Sequence, residues 1–133
     1  MSLDDNVQAV KSFFAAIGSG DMEAVKACCS PDIEWIIPGQ DWPLAGTRRG
    51  YAGLADLFAT HEKGVETSFM ETREFVAQGD RVLVIGYAEG KILTTGKPFK
   101  DDWIFAITVR DNKLTNIREY IDTQALARAA EAD

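Results

Sequence analysis

Proton transfer in an apolar setting needs carboxyl groups that share a strand face with apolar side chains, and the last third of the chain offers three candidates. Asp102 alternates with Ile104 and Ala106, a spacing that puts all three on one face of a strand. Glu119 alternates with Ile117 and Ile121 in the same way, and Asp122 ends that run just before Thr123. Each acid also has an ordinary reading. Asp102 follows Lys100 and Asp101 and could be one charge of a solvated strand end. Glu119 could pair on the surface with a Lys or Arg, a contact worth little, and this reading weighs more for it. Asp122 could cap a closing helix, and there the two readings weigh equally.

His61 is the sole histidine and the side chain whose ordinary pKa lies near neutrality. It stands among Thr60, Glu62 and Lys63 near the end of an expected helix, where a charge complementing the helix terminus is the favoured role. One histidine makes no zinc triad of the usual kind. Cys28 and Cys29 are adjacent, so an ordinary disulfide between them would distort the chain, and buried reduced thiols are expected. Gly18-Ser19-Gly20 lacks the third glycine of a dinucleotide loop, and Gly96-Lys97-Pro98 has proline where a phosphate loop needs a hydroxyl. No metal and no cofactor is expected.

These residues depend on the elements that carry them. Val7, Val10, Phe13, Phe14 and Ile17 recur at three and four and predict a helix over Asp4–Ile17, ended by Gly18-Ser19-Gly20. Asp21 caps a second helix, Met22–Cys29, and Ser30-Pro31-Asp32 ends it. Ile33–Ile37 reads as a short strand, Pro38 through Gly46 as a loop, and Tyr51–Glu62 as a third helix with Leu54, Leu57 and Phe58 inward. Four runs rich in β-branched and aromatic residues follow: Thr67–Gln78, Arg81–Glu89, Phe99–Arg110 and Leu114–Ile121. Gly79-Asp80 and Asp111-Asn112 are turn signals between antiparallel neighbours, and Ala125–Ala130 closes the chain as a short helix. Helices first and a meander after predict an α+β fold.

With 133 residues the chain fits one domain, 1–133, with one core. A net charge of −7 with scattered Lys and Arg gives no footprint for nucleic acid or an anionic membrane. No apolar run approaches a membrane span, and the opening residues lack the apolar core of a signal peptide, so the cytoplasm is the expected location.

The run Phe13-Phe14-Ala15-Ala16-Ile17, then Gly20-Asp21-Met22-Glu23-Ala24-Val25, then Pro31-Asp32-Ile33-Glu34-Trp35 resembles the opening of the SnoaL-like branch of nuclear transport factor 2-like proteins. Thr95-Gly96-Lys97, Asp101-Asp102-Trp103, Lys113 and Arg118-Glu119-Tyr120-Ile121-Asp122 stand in that branch's usual order. The resemblance covers nearly the whole chain. It implies a cone-shaped, curved antiparallel sheet wrapped by three N-terminal helices, a pocket for a small apolar or aromatic organic molecule in the open end, and a homodimer through the sheet. Trp35 and Trp42 flank the loop that rims such a pocket and are the preferred ligand contacts, with Phe13, Ile37, Ile104 and Tyr120 as further ones.

The family's chemistries can be tested position by position. Where ketosteroid isomerase has its base and oxyanion donors, the resemblance places Ile37, Phe13 and Ile104, or Asp102 in place of Ile104 after a one-pleat slip. Where limonene epoxide hydrolase has its arginine, second aspartate and asparagine, it places Gly86, Ala88 and Ile37, although Asp122 matches the terminal aspartate. Neither activity is therefore expected. An aldol-type cyclase, isomerase or lyase asks for fewer groups, and Asp122 with Asp102 or Glu119 would supply them. A non-catalytic binding module and a protein-interaction subunit of the same shape are the alternatives.

Overall fold

The computed structural model describes residues 2–40 and 42–133, so Met1 and Asp41, the latter within the expected loop, lie outside the described residues. Helix α1 spans Leu3–Ser19: the Ser2 side chain accepts from the Asp5 amide, the Asp5 side chain answers at the Ser2 amide, and Gly20 ends the helix at φ 70°. Asp21 caps α2, Met22–Cys28, by accepting from the Ala24 amide at 3.1 Å. Strand β1 runs Cys29–Ile37, earlier than its apolar alternation suggests, because Cys29 already pairs with Leu114. A short polar strand β2, Gly46–Arg49, leads into α3, Gly50–Gly64. Strands β3 (Val65–Gln78), β4 (Arg81–Ile92), β5 (Pro98–Arg110) and β6 (Lys113–Tyr120) follow, then α4, Thr123–Ala130.

The sheet has six strands in the order β2-β1-β6-β5-β4-β3. The β3–β6 meander and the β1–β2 pair are antiparallel, while β1 joins β6 in parallel. The sheet is curved and unclosed, and register shifts at Thr67/Phe69 and Thr72/Glu74 in β3 and at Thr115 of β6, opposite Thr108/Val109, supply bulges that bend the strands. Helix α1 packs on β3, β4 and β5, α3 on β1, β2 and β3, and α4 on β4 and β5. Val10, Phe13, Ile33, Leu54, Ile107, Leu114 and Ile117 are fully buried between these layers. Each such side chain contributes about 1.5–3 kcal/mol.

The facing of β5 reverses one expectation. Phe99, Asp101, Trp103, Phe105, Ile107 and Val109 face the helices, whereas Asp102 and Ile104 are exposed on the opposite face. The cause lies on the neighbouring strand. Gly86 pairs with Trp103, Ala88 with Asp101 and Gly90 with Phe99, so small residues of β4 make room for large ones of β5. A β-carbon on Gly86 would collide with the Trp103 ring and stand 2.6 Å from the Glu71 carbonyl. Tyr120, 46% exposed, lies on the outer face beside Ile104.

Candidate functional site

A cavity of about 510 Å³ lies between the concave face of the sheet and α3, with α4 at one end. Aromatic and aliphatic side chains line it, the rings packed against one another. Trp35 of β1 meets Phe58 of α3 edge-on at 5.9 Å and Phe105 at 5.8 Å, and Phe105 meets Trp103 at 5.0 Å. A second layer fixes these rings from behind: Phe13 sits 5.7 Å from Trp35, and Phe14 stacks on Trp103 at 5.5 Å. Phe13 is fully buried and does not line the cavity, so it supports Trp35 instead of touching a ligand. Ile37, Trp35 and Trp42 do line it. The Trp42 Nε1 atom is buried and, among the described residues, has no hydrogen-bond partner. Trp42, Ile121 and Leu126 also border a second hollow, between the β1–β2 loop and α4.

Two carboxyl groups reach the cavity, Asp101 from β5 and Glu119 from β6. Glu119 is half-buried by solvent access yet surrounded by protein atoms, the situation of a side chain on an interior wall. Its Oε1 accepts a hydrogen bond from Trp35 Nε1 at 3.0 Å. Burial pushes its pKa up to about 7; the Trp35 bond and Arg48 oppose this, and the nearby Asp101 charge adds to it. Burial likewise pushes Asp101 up to about 6, against the Asp122 amide, which donates to Asp101 Oδ1 at 2.7 Å. A charge on Asp101 favours the proton on Glu119. Both carboxyls are thus raised toward neutrality, a coupled pair able to supply and accept protons.

The remaining candidates separate. Asp122 caps α4, accepting from the Ala125 amide at 3.0 Å, and its own amide positions Asp101; it does not line the cavity. Asp102 belongs to an outer-face group, 4.0 Å from Arg73, which stacks on Tyr87 at 4.6 Å. Ile104 and Tyr120 are outer-face residues and cannot contact a ligand in the cavity. Glu119 is on the wall because its alternation with Ile117 holds, so the surface-pair reading fails.

Asp101 and His61 are the titratable wall residues that local sequence reasoning passes over. Asp101 shares the parity of Phe99, Trp103 and Phe105, a signal present in the sequence as a period-two aromatic row. His61 lies three and four residues beyond Phe58 and Leu57, on the same inner stripe of α3, and lines the cavity. It stands in the last turn of α3, as expected, but burial lowers its pKa and so favours the neutral ring over a charged helix-end group.

Among the described residues there is no group of three potential metal ligands, and no helix is long and apolar enough to cross a membrane.

Known proteins share this fold. The SnoaL-like domain model matches residues 10–117. A nuclear transport factor 2-like protein from Burkholderia xenovorans is 59% identical, with TM-score 0.89 over 98% of this chain and 99% of its own. TerC, solved with polyporic acid, is 31% identical, with TM-score 0.84 over 94% of this chain and 97% of its own. An uncharacterised protein of Mycobacterium tuberculosis is 25% identical over 120 residues, 90% of this chain and 91% of the relative. With its concave aromatic cavity, six-stranded sheet and N-terminal helices, the chain belongs to the SnoaL-like domain family of nuclear transport factor 2-like proteins.

Proposed function

We propose that this protein binds a small aromatic or conjugated molecule and moves protons on it without a cofactor, as an isomerase, cyclase or lyase does. Glu119 is the proton donor, and Asp101 is the ionised partner that keeps Glu119 protonated. The observation that carries this reading is the Glu119 carboxyl, bonded through one oxygen to Trp35 Nε1 at 3.0 Å in an aromatic cavity and raised to about 7. A fixed first oxygen leaves the second to present its proton to a substrate carbonyl; loss of a neighbouring C–H proton to Asp101 then gives the enol. A binding module would need no tuned carboxyl pair, and an interaction subunit would fill its cone with side chains. TerC's polyporic acid is a sensible first ligand to test here.

Deuterium incorporation from solvent into a panel of aryl and cyclic ketones, followed by NMR, tests the proposal. Exchange should occur with the wild-type protein and be lost in Glu119→Gln. Glu119 titrating at or below 4.5 in the unliganded protein would remove the proposed donor.

We also propose a homodimer through the outer face of the sheet. Val76, Leu83, Ile85, Ile104 and Tyr120 are each at least 36% exposed there. Val76 pairs with Leu83, Ile85 with Ile104 and Ile104 with Tyr120, so they form one apolar patch.

A further inference from the structure

His61 is the titratable group of the cavity wall that this proton-transfer reading leaves unused. It projects from α3, which packs against β1, β2 and β3, whereas the two acids project from β5 and β6. No hydrogen bond or charged neighbour contributes to its depressed pKa, which burial alone causes. Of the charged groups on the elements against α3, Arg49 pairs with Glu34 at 3.0 Å, Glu66 with Lys91 at 3.8 Å and Arg73 with Glu71 at 2.5 Å, while Asp32 and Glu74 are exposed on β1 and β3. Arg48, the cation felt by Glu119, has its guanidinium on Asp56 at 3.1 Å and on the Leu44 and Pro43 carbonyls at 2.6 and 3.2 Å.

Resting on the cavity reading above, we infer that the ligand is a planar organic acid whose acidic oxygen meets His61 and is held there as an ion pair with the imidazolium. An anion entering a cavity with Asp101 and Glu119 on its sheet side needs a positive partner away from them. His61 is the lining side chain that can become one, by taking a proton from the ligand or, for a ligand already ionised, from water. The aromatic walls made by Trp35, Phe58 and Trp103 accept the planar body, and the acid end is directed toward α3. The reactive carbonyl is thereby left toward Glu119.

A charge series on one ring tests this: 2-naphthoate, 2-naphthamide and 2-naphthylmethylamine. Because the chain has a single histidine, labelled imidazole gives one set of signals, and its titration needs no variant. In the unliganded protein the ring should titrate below 6.5, and saturation with 2-naphthoate should raise that value. His61→Gln should weaken 2-naphthoate roughly ten- to a hundredfold, the scale of a charge-assisted hydrogen bond, and leave 2-naphthamide unchanged. Naphthoate affinity should fall as pH rises, but ionisation of Asp101 and Glu119 has the same sign, so the imidazole signal and the variant decide. An imidazole titration unmoved by bound naphthoate, an unaffected His61→Gln, tighter binding of the amine, or no naphthoate binding by folded protein each overturns the inference. The Glu119 proposal is judged separately, by carboxyl titration of the unliganded protein.

Discussion

Replacing Glu119 by glutamine should stabilise the protein, and only on the alkaline side. Glutamine keeps an oxygen that can accept from Trp35 Nε1, so the 3.0 Å bond survives and only the ionisable proton is lost. Moving a carboxyl from 4.5 to about 7 makes its ionisation in the folded state harder by about 3 kcal/mol, at about 1.4 kcal/mol for each tenfold change. Below 4.5 the group is protonated in folded and unfolded chains alike and contributes no penalty. Between 4.5 and about 7 the unfolded chain ionises first, so the wild type loses stability relative to the variant as pH rises; above that range the loss is complete. The cavity admits water, which reduces the expected gain of Glu119→Gln to roughly 1–3 kcal/mol at high pH. Urea unfolding of both proteins at about pH 5, 7 and 9 measures it, with Asp101 present in both. Stability curves that stay parallel across this range would refute the claim that Glu119 is buried as an acid.

Asp122→Asn should leave stability within a few tenths of a kcal/mol while Asp122→Ala costs about 1 kcal/mol, because both Asp and Asn cap α4; urea unfolding separates the two. Gly86→Ala should cost about 1–3 kcal/mol and disturb the near-ultraviolet signal of Trp103, since the new methyl enters the space of its ring. Light scattering should show a dimer for the wild type and a monomer for Ile104→Glu, which buries a charge in the proposed interface; a wild-type monomer at high micromolar concentration removes the dimer. Direct assays should find neither steroid isomerisation nor limonene-type epoxide hydrolysis, because Ile37 and Ala88 present only apolar atoms to the cavity.

Periodicity makes most of the architecture legible. The stripe from Val7 to Ile17 and the meander from β3 to β6 are local patterns, and local patterns set helices and strands. Strand β2 is not legible, since Gly46-Thr47-Arg48-Arg49 has no apolar alternation and becomes a strand only by pairing with β1. Glu119 can be placed correctly from Ile117 and Ile121, but a surface acid has the same short-range signature. For His61 the sequence neighbours Thr60, Glu62 and Lys63 point to a solvated helix end. Its environment is set instead by Leu54, Leu57 and Phe58, which the helix brings to its own face.

The exchange of Asp101 for Asp102 has a deeper cause. A strand with one wet face announces its parity, because polar residues mark that face. In β5 the outward Ile104 and Ala106 interrupt the polar series of Lys100, Asp102, Thr108 and Arg110, so the aromatic row that marks the inner face is weakened just beside the two aspartates. The deciding information is non-local: Gly86, Ala88 and Gly90 leave the space on β4 that only one parity of β5 can fill. The residue that obscures the parity, Ile104, is also central to the patch formed with Ile85 and Tyr120. An apolar side chain there gains little while it faces water, but it gains its burial energy if a second chain covers it. The ambiguity of β5 and the proposed dimer therefore share one origin, and Ile104→Glu would remove both by giving the strand an unmistakable outer face.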